Sequence, residues 1–473
     1  MAFHEPFTRP CPAAAAGWAN TPPVEEYAMQ TTRRRFLKTT AALAAAPYFS
    51  SSRPSRAESA NDKLNIAAIG VGGRGSGIGH QAGNLGNMVA CADVHLGNAR
   101  RFAERYQGRC EVVQDYSKLL ERNDIDAITC GTPDHSHTRI TIDAMRAGMD
   151  VYCEKPLTLT MQESEQIRKA TEETGRILQV GTQQRTENAR RFLRAVAIAR
   201  SGRLGKKLHS LISVGGASSG GPFPTQDPPA ELDWNLWLHQ APMVPFSPNR
   251  IGWNFRWWFE YSGGQVTDWG VHHTDIALWA MSGDQTGIVE AAPVEDRYNF
   301  PLGRELMRDT LLGRKPFEDL PVSYNVANRF RVDMKLPNGN EATLYSGTNE
   351  LIISGEKGRI RVNRGGLTGR PVEEIEKDPK QREWLDEQVR ALYRDMPLTN
   401  HMGNFFHCMK TREKPISDVW SDTNSVNACH MANIAMLLAR PVKFDPKRYR
   451  FIDDDEANGL MSRKQRAPFG TDV

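Results

Sequence analysis

An apolar run, Ile66-Ala67-Ala68-Ile69, passes straight into Gly70-Val71-Gly72-Gly73-Arg74-Gly75. Glycines spaced G-x-G-x-x-G between a strand and a helix restrict the chain sharply. Gly70 permits a tight turn, Gly72 lets the backbone approach a pyrophosphate, and Gly75 lets the following helix pack close to the strand. The amides that open that helix face an anion, which adds Gly73 and Arg74 to the predicted cofactor contacts. A second apolar run, Met88–Ala92, ends at Asp93, 23 residues after Gly70. That is close to the ~20-residue offset expected of a carboxylate that binds ribose hydroxyls. Asp93 would repel a 2′-phosphate, which favours NAD. Arg100 and Arg101 stand near enough in sequence to compensate, which leaves NADP open.

From Lys63 to Val180 short apolar runs alternate with helical patterns. Leu64–Ile69, Met88–Ala92, Glu111–Val113, Ile125–Cys130, Asp150–Cys153 and Ile177–Val180 read as strands. Ile78–Leu85, Asn98–Tyr106, Tyr116–Leu120, Thr138–Ala147 and Met161–Thr174 read as helices. This alternation predicts an α/β fold that begins with a parallel, doubly wound Rossmann domain over residues 58–185. After residue 186 a strand at Leu208–Val214, a hairpin turning at Pro337-Asn338-Gly339-Asn340 and three closing helices predict an α+β domain. Its sheet is expected to be large, open and mainly antiparallel, over residues 186–440. Residues 441–473, with the cluster Asp453-Asp454-Asp455-Glu456, read as a solvated tail.

The chain has 60 Lys and Arg against 56 Asp and Glu, but the excess is local. Residues 1–57 hold seven basic and three acidic residues, which leaves 53 of each in the remainder. A neutral body removes the electrostatic case for nucleic acid or a membrane surface as partner. Within the leader, Arg33-Arg34-Arg35-Phe36-Leu37-Lys38 precedes the short apolar run Thr39–Phe49 and small residues up to Ala57. That order defines an export signal of the twin-arginine type, with cleavage after Ala57 and a translation start at Met29. The run is too short for a membrane span of ~20 residues. The expectation is a periplasmic protein delivered by the twin-arginine export machinery, with its cofactor loaded beforehand and tightly bound. No cysteine pair has CxxC spacing, and no disulfide is expected.

Two loops leave strand ends where ligands of open α/β sheets bind: Gly131-Thr132-Pro133-Asp134-His135-Ser136-His137 and Glu154-Lys155-Pro156. Farther on, Asp268 and His272 lie four apart, on one face of a predicted helix. Oxidation of a secondary alcohol needs a group to accept the hydroxyl proton, and histidine suits that task near neutrality. A nearby carboxylate would orient the ring, and a lysine ammonium would stabilise developing alkoxide charge. His272 and His273 point about 100° apart on a helix, which argues against one metal between them. Seven of the ten tryptophans lie between Trp234 and Trp279, in a stretch that also holds Arg250, Asn254 and Arg256. They read equally as a carbohydrate subsite and as an aromatic core.

Together, Gly70/Gly72/Gly75, Thr132-Pro133-Asp134-x-x-His137, Glu154-Lys155-Pro156 and Gly263-Gly264-x-x-x-Asp268-x-Gly270-x-His272-x-x-Asp275 resemble the glucose-fructose oxidoreductase, inositol dehydrogenase and MocA (Gfo/Idh/MocA) family. The resemblance covers residues 60–465. Asp134 stands where the family pattern usually has Asn. The resemblance implies hydride exchange between NAD(P) and a sugar or cyclitol carbinol, and an open sheet that forms homo-oligomer contacts (dimer or tetramer). It places Lys155, Asp268 and His272 in catalysis, with Lys155 orienting the reacting hydroxyl and Asp268 and His272 as the acid/base pair. Thr132, Pro133, His137, Glu154 and Lys155 join the cofactor contacts. Gln183, Arg185, Arg256, Trp257 and His273 join Asp268 and His272 as substrate contacts. Three activities remain open: an exported oxidoreductase acting on a sugar, cyclitol or glycoside hydroxyl; an NAD-dependent glycosidase working by transient oxidation and elimination; and a non-catalytic sugar-binding protein with structural NAD.

Overall fold

The structure is a computed structural model that describes residues 63–282 and 286–472. The export leader expected over residues 1–57 lies outside the described residues. No helix among them is long and apolar enough to cross a membrane.

The first half is a parallel sheet of six strands in the order β3-β2-β1-β4-β5-β6. The strands are β1 (Asn65–Ile69), β2 (Asn87–Ala92), β3 (Glu111–Val113), β4 (Ala127–Cys130), β5 (Asp150–Cys153) and β6 (Leu178–Val180). Every residue of β4, β5 and β6 is buried. Helices cover both faces of such a sheet, so its strands are continuous apolar runs rather than alternating ones. Strand order reverses between β1 and β4, and the crevice at that switch point lies at the carboxyl ends of the strands.

Local chemistry sets the helix boundaries. The helix Met161–Thr174 starts at Thr160, whose hydroxyl accepts from the Glu163 amide, and stops at Gly175 with φ +60°. The helix Val419–Leu438 starts at Asp418, whose carboxylate accepts from the Trp420 and Ser421 amides.

The second half is a nine-stranded sheet in the order β13-β12-β11-β7-β10-β9-β8-β14-β15. Its strands are β7 (Leu208–Val214), β8 (Glu290–Pro293), β9 (Arg331–Lys335), β10 (Glu341–Ser346), β11 (Glu350–Gly355), β12 (Gly358–Val362), β13 (Leu367–Thr368), β14 (Val442–Asp445) and β15 (Arg450–Phe451). The pairs are antiparallel except β10 with β7, which run parallel. Along β9 buried and exposed residues alternate, so one face of the sheet packs inward and the other stays open. The helix Gln265–Ser282 lies between this sheet and Val419–Leu438, which explains why 15 of its 18 residues are buried.

The carboxyl-terminal segment departs from the solvated tail expected of it. β14 adds to the sheet beside β8, and Phe451 is fully buried. Within the acidic cluster, Asp454 caps the helix Asp455–Gly459 and pairs with Arg440. A charged run that reads as solvated can be recruited when a distant arginine and a helix start both need a carboxylate.

Candidate functional site

The glycine turn has the geometry a dinucleotide needs. Gly70 has φ +73°, and a Cβ there would lie 2.6 Å from Thr132. A Cβ on Gly75 would lie 1.7 Å from the Gly70 carbonyl oxygen. Those two glycines are required by packing. Gly73 has open space around it, at the start of the helix Arg74–Leu85. A Cβ on Gly72 would approach only the Asn98 and Asp93 side chains. Space above backbone amides at a helix start, with a carboxylate on its far side, fits a pyrophosphate and its ribose. Asp93 Oδ2 accepts from the Val71 amide (2.8 Å) and Oδ1 from the His95 amide (2.9 Å), which fixes the carboxylate beside that space. Burial raises the Asp93 pKa, while these two amides oppose the shift.

Opposite the turn, the Arg74 side chain reaches Glu154, with Nε 2.9 Å from Oε1. Thr132 and Pro133 line the edge half-buried. Two predicted ligands are engaged elsewhere. Both ring nitrogens of His137 lie 2.8 Å from backbone carbonyls, those of Pro156 and Thr132, so this histidine ties two loops together instead of facing cofactor. Cys130, His137 and Cys153 each bring a ligand-type atom within 4.8 Å of the others, but a metal there would cost the ring one of these bonds. Gln183, expected on substrate, donates to Glu154 (2.8 Å) and to the Tyr152 hydroxyl (3.0 Å), and so steadies Glu154.

The predicted catalytic trio converges from two elements. Lys155 follows β5. Asp268 and His272 lie one turn apart on the helix Gln265–Ser282, which enters through Gly264 at φ +74°, where a Cβ would meet Val326 at 2.9 Å. Lys155 Nζ donates to Asp268 Oδ1 (2.5 Å) and to the Asp268 carbonyl (3.1 Å). Arg256 pairs with Asp268 from the other side, its Nε 3.1 Å from Oδ2. Burial alone would raise the Asp268 pKa, but the two cations outweigh it and hold the carboxyl below its usual range. Asp268 is therefore a fixed anion between cations, not the partner of His272 in an acid/base pair.

Among the described residues, no carboxylate forms an ion pair with His272. Burial first, then the charges of Lys155 and Arg364, push its pKa well below the usual 6.5, so the ring is neutral. Its Nδ1 is buried without a partner.

The remaining substrate contacts resolve into packing. Arg185 is 1 % exposed and makes a two-pronged pair with Asp275 (2.7 Å for each prong), with its guanidinium also over the Trp279 ring. It pins the central helix and cannot reach a substrate. His273 donates to Asn349 (2.7 Å) and packs against Phe192, on another side of the helix from His272. Trp257 is buried, as are Trp234's stacking partner Trp237 and Trp258 and Trp279, so the tryptophan-rich stretch is mostly core. Arg250 is buried too, paired with Glu260 (2.8 Å). Trp253 is the exception at 70 % exposed, with the Arg256 guanidinium 3.7 Å from its ring centre.

One site residue has no sequence signal of its own, and another has a role that its motif does not reveal. Arg364, in the turn between β12 and β13, lies over the Trp269 ring (4.3 Å) and acts electrostatically on His272, but Asn363-Arg364-Gly365-Gly366 reads only as a turn. Asp134 opens the helix Asp134–Arg146 beside Ser262, with burial pushing its carboxyl up to about 6 and its Oδ2 without a partner.

A parallel 3-2-1-4-5-6 sheet, a glycine turn facing a carboxylate, and a lysine, carboxylate and neutral histidine at the strand ends define a class: two-part oxidoreductases with a dinucleotide-binding Rossmann half. The chain belongs to the Gfo/Idh/MocA oxidoreductase family. Residues 64–182 match its NAD-binding Rossmann fold, and residues 219–296 and 384–471 match its C-terminal alpha/beta domain. Inositol 2-dehydrogenase 4 of Saccharopolyspora erythraea is 32% identical over 148 residues, 30% of this chain and 44% of that protein. The match thus spans less than half of that relative. Among solved structures, aldose-aldose oxidoreductase from Caulobacter crescentus, complexed with glycerol, aligns with TM-score 0.55 at 18% identity, covering 81% of this chain and 100% of that one. The WlbA dehydrogenase from Bordetella pertussis, in complex with NADH and UDP-GlcNAcA, aligns with TM-score 0.56 at 18% identity, covering 82% and 99%. At such identities these two report a shared fold.

Proposed function

We propose that the chain is an NAD-dependent oxidoreductase acting on a secondary hydroxyl of a sugar, cyclitol or glycoside. The observation that carries this reading is the Lys155–Asp268 ion pair at 2.5 Å beside a neutral, buried His272 at the strand ends. NAD, when bound over Gly72 and Gly73, supplies the hydride acceptor. Lys155, oriented by Asp268, donates a hydrogen bond to the substrate oxygen and stabilises its negative charge as it develops. His272 takes the hydroxyl proton. With Nδ1 sealed in protein, that proton goes to Nε2. Arg256 keeps Asp268 anionic, so the lysine stays in place through the reaction. Trp253, with Arg256 behind it, offers an exposed aromatic face one contact away from Asp268, suited to the C–H face of a sugar ring.

The twin-arginine leader supports a periplasmic location. A cofactor exported inside its enzyme must be retained and recycled, by a second substrate or within one turnover. Recycling within a turnover is the glycosidase chemistry.

One experiment separates these readings. The purified protein is denatured, released nucleotide is identified by mass spectrometry, and the native protein is screened against glycosides and cyclitols at 340 nm. A keto product with NADH formation supports the dehydrogenase. Free sugar released without net absorbance change supports the glycosidase. Nucleotide released on denaturation with no turnover of any glycoside or cyclitol would overturn both and leave a binding protein, and turnover unchanged in Lys155→Ala and His272→Ala would refute the roles given to those residues. For export, Arg33→Lys with Arg34→Lys is expected to keep the protein in the cytoplasm, and unaltered fractionation would refute the twin-arginine route.

A further inference from the structure

Close to Asp93 the Rossmann half is joined by a segment from beyond β7. The Leu96 amide donates to the Glu231 carbonyl (3.0 Å), and the Asp233 amide donates to the Val94 carbonyl (2.9 Å). His95 and Leu232 form an antiparallel bridge between them. Gln114 Nε2 donates to both the Val94 carbonyl (2.9 Å) and the Glu231 carbonyl (3.3 Å). Residues 231–233 are therefore stitched by backbone bonds to the loop that follows the ribose carboxylate.

Those bonds carry the Glu231 side chain to a defined place. Its Oε1 lies 2.5 Å from Arg100 Nη1, across 131 residues of sequence. Its Oε2 lies where a Cβ on Gly97 would be only 2.6 Å away. Gly97 adjoins Asn98, whose Nδ2 reaches Asp93 Oδ1 (3.5 Å) and would lie 2.9 Å from a Cβ on Gly72. Gly72, Asp93 and Asn98 thus surround one corner of the crevice, the corner that fits the adenosine ribose, and Glu231 is held next to it, against Gly97 and Arg100.

We propose that Glu231 is a determinant of NAD over NADP. A 2′-phosphate at that corner carries close to two negative charges and needs a cation. Arg100 is a cation of this loop and helix, and Glu231 neutralises it. The pair is half-exposed, so it adds little to stability. Its effect is on the local potential: two carboxylates, Asp93 and Glu231, meet a nucleotide there with Arg100 already engaged. The backbone bonds hold the main chain of Glu231 independently of the ion pair. This inference rests on the NAD-binding reading and adds to it a specificity residue from outside the Rossmann half.

The test is equilibrium binding of NADH and of NADPH to the full chain stripped of retained nucleotide, followed by nucleotide fluorescence, for the parent protein, Glu231→Gln and Arg100→Met/Glu231→Gln. The parent is expected to bind NADH at least tenfold more tightly than NADPH. Glu231→Gln, which frees Arg100 and keeps the side-chain shape, is expected to narrow that ratio at least fivefold, mainly through tighter NADPH binding. The double variant is expected to lose the gain. A ratio in Glu231→Gln within twofold of the parent's, or a parent that prefers NADPH, would overturn the proposal while leaving dinucleotide binding intact. A parent that releases no nucleotide on denaturation and also binds neither added nucleotide would overturn the cofactor reading itself. If Glu231→Gln does not fold, Arg100→Glu serves in its place. It should widen the ratio, and an unchanged ratio there also overturns the proposal.

Discussion

At the scale of single residues, the site depends on two groups held away from their ordinary ionisation. His272 is neutral because it is buried and feels the charges of Lys155 and Arg364. The neutral form is the base, so oxidation falls only when pH drops through a pKa well below 6.5. Arg364→Leu removes one repelling charge and raises that pKa. The acid limb of kcat/KM against pH should then move upward. An unmoved or lowered limb would refute the electrostatic role of Arg364. Asp134 is the opposite case. Its folded-state pKa, about 6, exceeds the 3.8 of the unfolded chain, so the folded protein resists losing that proton. The stability available below about pH 4 is lost as pH rises to about 6, and the loss is complete above it. Asp134→Asn cannot ionise and should unfold at higher denaturant concentration than the parent at pH 8. The advantage, on the order of 2–3 kcal/mol, should disappear near pH 4. Equal stability at pH 8 would show that the carboxyl is not held as described.

At the scale of elements, the helix Gln265–Ser282 positions both Asp268 and His272, and the Arg185–Asp275 pair anchors it. That pair is sealed from water and is completed by the Ile416 carbonyl and the Ser425 hydroxyl. Removing one partner leaves a buried charge without compensation. Arg185→Met alone should cost about 3–5 kcal/mol in urea unfolding, and Arg185→Met with Asp275→Leu should recover much of it. A single variant as stable as the parent would mean the pair does not anchor the helix. The same elements show what a sequence reveals. β3, β5, β7 and the helix Met161–Thr174 begin and end where the apolar periodicity and the caps place them, because those signals are local. Lys155, Asp268 and His272 each sit in a short motif, which is why the sequence offers them as candidates, and the structure brings Lys155 against Asp268. Arg185 has the same residue type as a ligand and lies just after a strand end, so only Asp275, 90 residues away, reveals its structural task. Arg364 and Glu231 were hidden for the same reason: their partners lie across the fold, and neither stands in a motif.

At the scale of the whole molecule, the Rossmann half is completed by residues 401–418, from far along the chain. The Val180 amide donates to the Ser417 carbonyl (2.9 Å), and Gln179 forms a bridge with Asp418, so residues 417–418 extend the edge beyond β6. Gln179 Nε2 also donates to the His401 carbonyl (2.7 Å), Tyr152 packs against His401 and Phe405, and Arg412 pairs with Asp150 (2.6 Å). A chain cut after residue 185 would leave this edge unpaired and the faces of Tyr152 and Asp150 in water, an exposed strand of the kind that aggregates. The two halves should therefore unfold together. The full chain is expected to show one transition in denaturant, with fluorescence and circular dichroism coincident, and residues 58–185 alone should fail to give a cooperative one. NAD bound in the first half should shift the whole transition, by about 2.7 kcal/mol at a hundredfold excess over Kd. Two separated transitions, with only one moved by NAD, would show instead that the returning helices are an accessory to a Rossmann half that stands by itself.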